Sequence, residues 1–187
     1  VRPGSNTLTI DGTGIRPVMG DILDRDSIAR AVDGCEAVVH SAAAYTFWSR
    51  DPRLIYRTNV EGTANVLEAA RRAGVPRVVY TSTVSTVGLS SGELGTEETP
   101  LDPRHLSGHY KKSKYQAEVL ALKMASDGLP VVVVNPTTPV GPWDLKPTPT
   151  GKMVLDFLLG RIPAYLDTGM NLVDVEDVAI GHILAIE

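Results

Sequence analysis

The strongest constraint in this sequence is an alternation of two hydrophobic rhythms. Short β-branched runs at residues 37–40, 77–81 and 131–134 are separated by long stretches whose apolar residues recur at helical spacing. Strands that are apolar on both faces and joined by helices belong in a parallel sheet covered from both sides, so the fold class is α/β, a doubly wound parallel sheet. An earlier run at residues 15–19 is an expected strand as well, and Pro17 confines it to an edge because proline removes a ladder donor.

Helices are expected at residues 26–32, 53–73, 109–126, 151–159 and 175–187. In the second, Tyr56, Val60, Leu67 and Ala70 form one stripe, with Gly74 and Pro76 as stop signals. In the third, Leu120 and Met124 are the expected core-facing residues, and Gly128 closes it. Between them and the last helices, Pro136, Pro139, Gly141, Pro142, Pro147 and Pro149 predict an irregular binding loop.

The chain has 187 residues, 43% of them hydrophobic, which is one globular domain's worth of core. Eighteen basic against 22 acidic residues leave a charge of −4, which offers nucleic acid or anionic lipid no broad cationic face. The aliphatic stretch at residues 129–134 is far shorter than the ~20 residues of a membrane span. Cys35 is the single cysteine, so an internal disulfide is excluded and a reducing, cytoplasmic setting is expected. His105 and His109 share a helical spacing without an evident third ligand, and no metal site is expected.

The residues able to carry chemistry lie after the strands. Tyr110 and Lys114 are four apart, which places them on one helix face, about 5–6 Å apart at Cβ. A fixed ammonium beside a phenol favours phenolate and lowers its pKa from near 10, so Tyr110 is a candidate proton donor and acceptor. By spacing alone the pair is more often an ordinary surface contact. Thr81-Ser82-Thr83 and Ser41-Ala42-Ala43-Ala44 each follow a strand, where parallel sheets bind ligands. Asn59, polar within an otherwise apolar helix, needs partners and reads equally as structural. Two glycine-rich stretches fail as phosphate turns. Gly12-Thr13-Gly14 follows no strand and opens no helix, and Gly88, Gly92 and Gly95 lead into a polar loop.

Taken in order, Gly20-Asp21-Ile22, Ser41-Ala42-Ala43, Asn59-Val60-Glu61-Gly62-Thr63, Thr81-Ser82-Thr83, Tyr110-Lys111-Lys112-Ser113-Lys114, Asn135-Pro136 and Asp174-Val175-Glu176-Asp177-Val178-Ala179 resemble the extended short-chain dehydrogenase/reductases, the NAD-dependent epimerase/dehydratase family. The resemblance extends over nearly the whole chain. It is closest to the dihydroflavonol-4-reductase-like branch, and the run from Asn135 to Gly151 is similar to the hopanoid-associated sugar epimerases.

That resemblance implies a Rossmann-like fold and an NAD(P)-dependent oxidoreductase or epimerase acting on a secondary alcohol or ketone, such as a sugar. Tyr110 would be the acid/base, Lys114 would hold the nicotinamide ribose, Thr83 would orient the substrate oxygen, and Asn59 would complete the catalytic set. Asp21 and Ile22 would flank the adenine, Ala42 and Ala43 would line the cofactor's path, and Pro136, Thr137 and Thr138 would pass beside the nicotinamide. Arg2 would pair with a 2′-phosphate, which favours NADP over NAD. A homodimer through the two long helices is implied too.

The family's first strand and glycine-rich turn are not present, so the chain is expected to be an internal piece of a longer protein, a partial dinucleotide-binding domain with the start of a substrate-binding region at residues 137–170. Its sheet would lack the first two strands, residues 37–40 would form an exposed edge, and the polypeptide would bind dinucleotide poorly. A dinucleotide-binding regulatory or scaffold protein of the same fold is the other class these residues leave open.

Overall fold

The computed structural model describes residues 1–89, 94–164 and 166–187. Its centre is a parallel sheet of β1 (Val38–His40), β2 (Val78–Thr81) and β3 (Val131–Val134), hydrogen-bonded in that order. The register sets Val38 against Val78 and Val78 against Val131, so one row of side chains crosses all three strands.

Helix α1 (Arg25–Val32) is started by Asp24, whose side chain accepts from Asp26 N and Ser27 N, orphan donors of the first turn. The next crossover is α2 (Arg53–Tyr56), a π-helical turn (Arg57–Glu61) and α3 (Gly62–Arg72) without a break between them. The long helix α4 (His109–Ser126) follows β2. One face of the sheet presents Val78 and Tyr80 to Leu67 and Ala70 of α3 and Ala117 and Ala121 of α4. Small residues at 117 and 121 let α4 lie close to the strands. Ala117 and Ala121 are the fully buried positions, with Met124 packed at the margin, whereas Leu120 lies in a groove beside Arg25 and Ala69.

On the opposite face Val39, Val79 and Val132 line up in register. Val79 is fully buried, but Val39 and Val132 stay 43% and 47% exposed. On this face α6 (Val175–Leu184) meets the sheet at Thr81, whose Oγ1 lies 2.8 Å from His182 Nε2.

Two expectations are corrected. Residues 15–19 form no strand: residues 11–19 are exposed coil and turn, with Pro17 unable to donate to a ladder. Residues 136–149 are not wholly irregular, since β4 (Thr138–Val140) pairs in parallel with β5 (Leu172–Asp174), Pro139 opposite Val173. Helix α5 (Pro149–Leu158) begins at Thr148, whose side chain accepts from Gly151 N, with proline in its favoured first position.

Of the glycines rejected as phosphate turns, Gly12 and Gly14 serve a conformational need, with φ of +77° and +78°, and Gly88 a packing one. A Cβ on Gly88 would lie 2.3 Å from the Pro100 carbonyl oxygen, so this turn closes on backbone. Gly92 lies outside the described residues.

Candidate active site

The carboxyl ends of β1, β2 and β3 open into a cavity of about 930 Å³. Its floor is Thr81, Ser82 and Thr83 after β2, one wall is Tyr110 and Lys114 from α4, and another is Pro136, Thr137 and Thr138 after β3. Ala43, Tyr45 and Phe47 close the side after β1, and Trp143 lies across from them.

Local chemistry builds each wall. Thr83 Oγ1 accepts from Ser85 N at 3.3 Å, capping the short 3-10 turn Val84–Thr86 and turning the chain away from the strand. Val84 N donates to Pro136 O at 2.9 Å, which ties this turn to the one after β3. Behind both, Asn135 Nδ2 donates to Glu118 Oε2 at 2.7 Å and to Thr86 Oγ1 at 2.9 Å. Tyr45 Oη and Thr150 Oγ1, 2.9 Å apart, join the loop after β1 to the start of α5.

Asn59 sits behind the wall, not on the cavity. It is 1% exposed, its Oδ1 accepts from Ala44 N at 2.6 Å, and its Nδ2 donates to Ser113 Oγ at 2.9 Å. Ser113 Oγ in turn donates to Tyr110 O at 2.7 Å, so the amide ties the loop after β1 to the first turn of α4. The π-helical turn makes this reach: Gly62 N bonds to Arg57 O, five residues back, and Thr63 Oγ1 donates to Asn59 O at 2.7 Å. That leaves the Thr63 oxygen to accept from His40 Nε2 at 2.9 Å, which fixes the proton on Nε2.

A second polar chain crosses the floor. His182 Nδ1 lies 2.7 Å from Val178 O, and a carbonyl can only accept, so Nδ1 carries the hydrogen. His182 Nε2 lies 2.8 Å from Thr81 Oγ1, which is itself hydrogen-bonded to Ser41 Oγ at 2.7 Å.

The expected coupling between Lys114 and Tyr110 is not what the ammonium makes. Lys114 Nζ donates to Tyr80 Oη at 2.8 Å and to Thr81 O at 2.7 Å. Burial lowers its pKa to about 8, and the Glu118 carboxylate pulls the other way. Tyr110 instead faces Tyr45, ring centroids 4.9 Å apart, and burial, with a smaller contribution from Tyr45, pushes its phenol up to about 12. The expected acidification of Tyr110 is thus absent from the chain's own charges: desolvation outweighs a cation that points elsewhere. Both side chains still line the same cavity as Thr83.

Ala43, Pro136, Thr137 and Thr138 line the cavity as expected, whereas Arg2, Asp21, Ile22 and Ala42 do not. Asp21 Oδ1 accepts from Leu23 N at 2.9 Å, Ile22 packs on Gly62, where a Cβ would meet its Cδ1 at 2.5 Å, and Arg2 is exposed in a turn. Trp48 and Trp143 are each 73% exposed, so neither fills a core gap. Sequence reasoning missed Tyr80, Tyr45 and His182; Tyr80 carried a signal, as the one polar-tipped residue among strand valines on the face toward α4. Among the described residues no three His, Cys, Asp or Glu side chains converge on a metal-sized space, and no helix is long and apolar enough to cross a membrane.

A parallel sheet with its crossover helices and a cleft at the carboxyl strand ends defines the class: a Rossmann-like α/β protein. Within that class, the chain belongs to the NAD dependent epimerase/dehydratase family, which matches residues 2–187. It is 46% identical over 99% of its length to a Synechocystis sp. protein named "Putative dihydroflavonol 4-reductase", of which it covers 54%. The crystal structure of gox2253 superposes with a TM-score of 0.93 at 45% identity, over 99% of this chain and 57% of that one. The dTDP-glucose 4,6-dehydratase DesIV of Streptomyces venezuelae, solved with NAD bound, gives a TM-score of 0.77 at 29% identity, over 96% of this chain and 59% of that one. The chain spans about half the length of the curated relatives it matches.

Proposed function

We propose that the protein is an NAD(P)-dependent oxidoreductase or epimerase acting on a secondary alcohol or ketone. The observation that carries this reading is the convergence of Thr83, Tyr110 and Lys114 on one cavity at the strand ends. When bound, the dinucleotide gives or takes the hydride. Tyr110 passes the proton to or from the substrate oxygen, Thr83 hydrogen-bonds that oxygen, and Lys114 supplies positive charge beside them. Asn59 is a positioning residue, acting through Ser113 and the backbone of Tyr110.

Among the walls, Tyr45, Phe47 and Trp143 give the substrate an aromatic, largely apolar seat. This supports a carbonyl compound with an apolar body ahead of a sugar. The DesIV complex supports a nicotinamide dinucleotide as cofactor. The preference for NADP over NAD rests on Arg2 alone, and residues 137–170 are read as the start of the substrate-binding region.

The test is hydride exchange. The full-length protein is incubated with reduced NADP or NAD and a panel of aromatic ketones, aliphatic ketones and nucleotide sugars, and absorbance at the reduced nicotinamide band is followed. Oxidation with a ketone is expected. Cofactor binding with no exchange on any substrate would replace this reading with that of a non-catalytic dinucleotide-binding scaffold.

A further inference from the structure

The hydroxyl of Tyr80 has no part in the proposed proton transfer, yet it is the partner that the cavity's lysine chooses. We infer that Tyr80 is a positioning residue for Lys114: its oxygen accepts from the ammonium and its ring lies beneath it, so the charge is aimed at the ends of the strands and not along α4 toward Tyr110.

The geometry is specific. Lys114 Nζ lies 2.8 Å from Tyr80 Oη and 4.5 Å from the centroid of the same ring, so one side chain supplies both an acceptor and a cation–π surface. Tyr80 is 1% exposed and belongs to β2, which is hydrogen-bonded to a strand on each side, so its backbone has no freedom to follow the lysine. Its ring is stacked on His40 at 5.7 Å with 29° between planes. His40 is held in turn by Thr63, and Lys114 itself is 3% exposed.

A hydrogen count gives the consequence. An ammonium has three protons; Tyr80 Oη takes one and Thr81 O takes another at 2.7 Å. The third is directed to the cavity that Lys114 lines, where a ligand oxygen can accept it. Tyr80 therefore does two things: it sets where that third proton points, and it supports the charged form of a lysine that burial disfavours. The groups around the ammonium, on its own helix and on the strands, agree with this. Burial lowers Lys114, Glu118 on α4 raises it, and burial keeps the Tyr80 phenol itself protonated, above its ordinary range. His40 on β1 is pushed down to about 4 and stays neutral, adding no competing charge at ordinary pH.

The inference rests on reading Lys114 as the cavity's cation, and its test does not need turnover. Protein labelled with 15N-lysine is titrated while the Lys114 ammonium is followed by NMR, a Lys114→Met sample supplying the assignment. Wild-type protein is expected to titrate near pH 8, with cross-relaxation between the ammonium protons and the Tyr80 ring. Tyr80→Phe keeps the ring and deletes the acceptor. Its Lys114 midpoint is expected to fall by about one pH unit, a hydrogen bond to a charged group being lost. An unchanged midpoint in folded Tyr80→Phe protein overturns the inference. Should that variant not fold, absence of the ring contact in wild-type protein overturns it equally. A lysine that behaves as expected in a protein without hydride exchange would sink the proposed reaction and leave the role of Tyr80 standing.

Discussion

Asn59 and Ala44 hold each other in both directions: Oδ1 accepts from Ala44 N at 2.6 Å, and Nδ2 donates to Ala44 O at 3.2 Å. A side-chain amide thereby replaces the strand partner that the chain loses where β1 ends. Asn59→Ala would leave the half-buried Ala44 N–H without an acceptor and Ser113 without a donor. The expected cost is about 2–3 kcal/mol. Urea unfolding of wild-type and variant protein measures it, and a loss below about 0.5 kcal/mol would show that water replaces the amide.

Tyr110→Phe removes one oxygen from a side chain whose ring is held by Tyr45. The ring contact survives, so turnover is expected to disappear while the dissociation constant for the dinucleotide changes less than about threefold. Stopped-flow absorbance gives the first and fluorescence titration the second. Retained turnover would remove Tyr110 from the chemistry.

Much of this arrangement was legible in the residues, for identifiable reasons. The helix at His109–Ser126 and the three strands follow from apolar rhythm and from glycine and proline at their ends, which are local signals. The motif order placed Thr83, Tyr110, Lys114 and residues 136–138 on one cavity. Direction was not legible. A spacing of four puts Tyr110 and Lys114 on the same helix face, but the choice of Tyr80 by the ammonium depends on a strand 34 residues away in sequence. The pairing of β4 with β5 was hidden for a similar reason: Pro139 argues against a strand, and only the partner at Val173 shows that one short parallel pairing tolerates it. The strand expected at residues 15–19 failed in the converse way, having a suitable pattern but a neighbour of one residue, Val1, which bonds to Val18 O and Gly20 N and builds no ladder.

His40 predicts a pH dependence of stability. Burial, and less so the Lys114 charge, lower its pKa from 6.5 to about 4, so between those values the unfolded chain binds the extra proton. Stability from this residue is therefore complete above pH 6.5 and declines as pH falls toward 4, by up to about 3 kcal/mol. Denaturation at a series of pH values should show this decline in wild-type protein and a flatter one in His40→Gln. Equal slopes in the two would assign the acid sensitivity to other groups.

Trp143 has a φ of +73°, the left-handed region, and is the one non-glycine residue there among those described. For a bulky side chain this conformation costs about 1–2 kcal/mol, and at 73% exposure the indole recovers little of that by packing. It does line the cavity. The strained backbone thus holds an aromatic surface on the cavity, where the proposed reaction would seat its substrate. Comparing Trp143→Gly with Trp143→Ala isolates the backbone contribution, since both remove the indole and only glycine accepts this φ freely. Trp143→Gly is expected to be more stable than Trp143→Ala by about 1 kcal/mol, with KM for an aromatic ketone raised alike in both and kcat little changed. Equal stabilities would mean that the loop relaxes out of the left-handed region once the indole is gone, and an unchanged KM would take Trp143 away from the substrate.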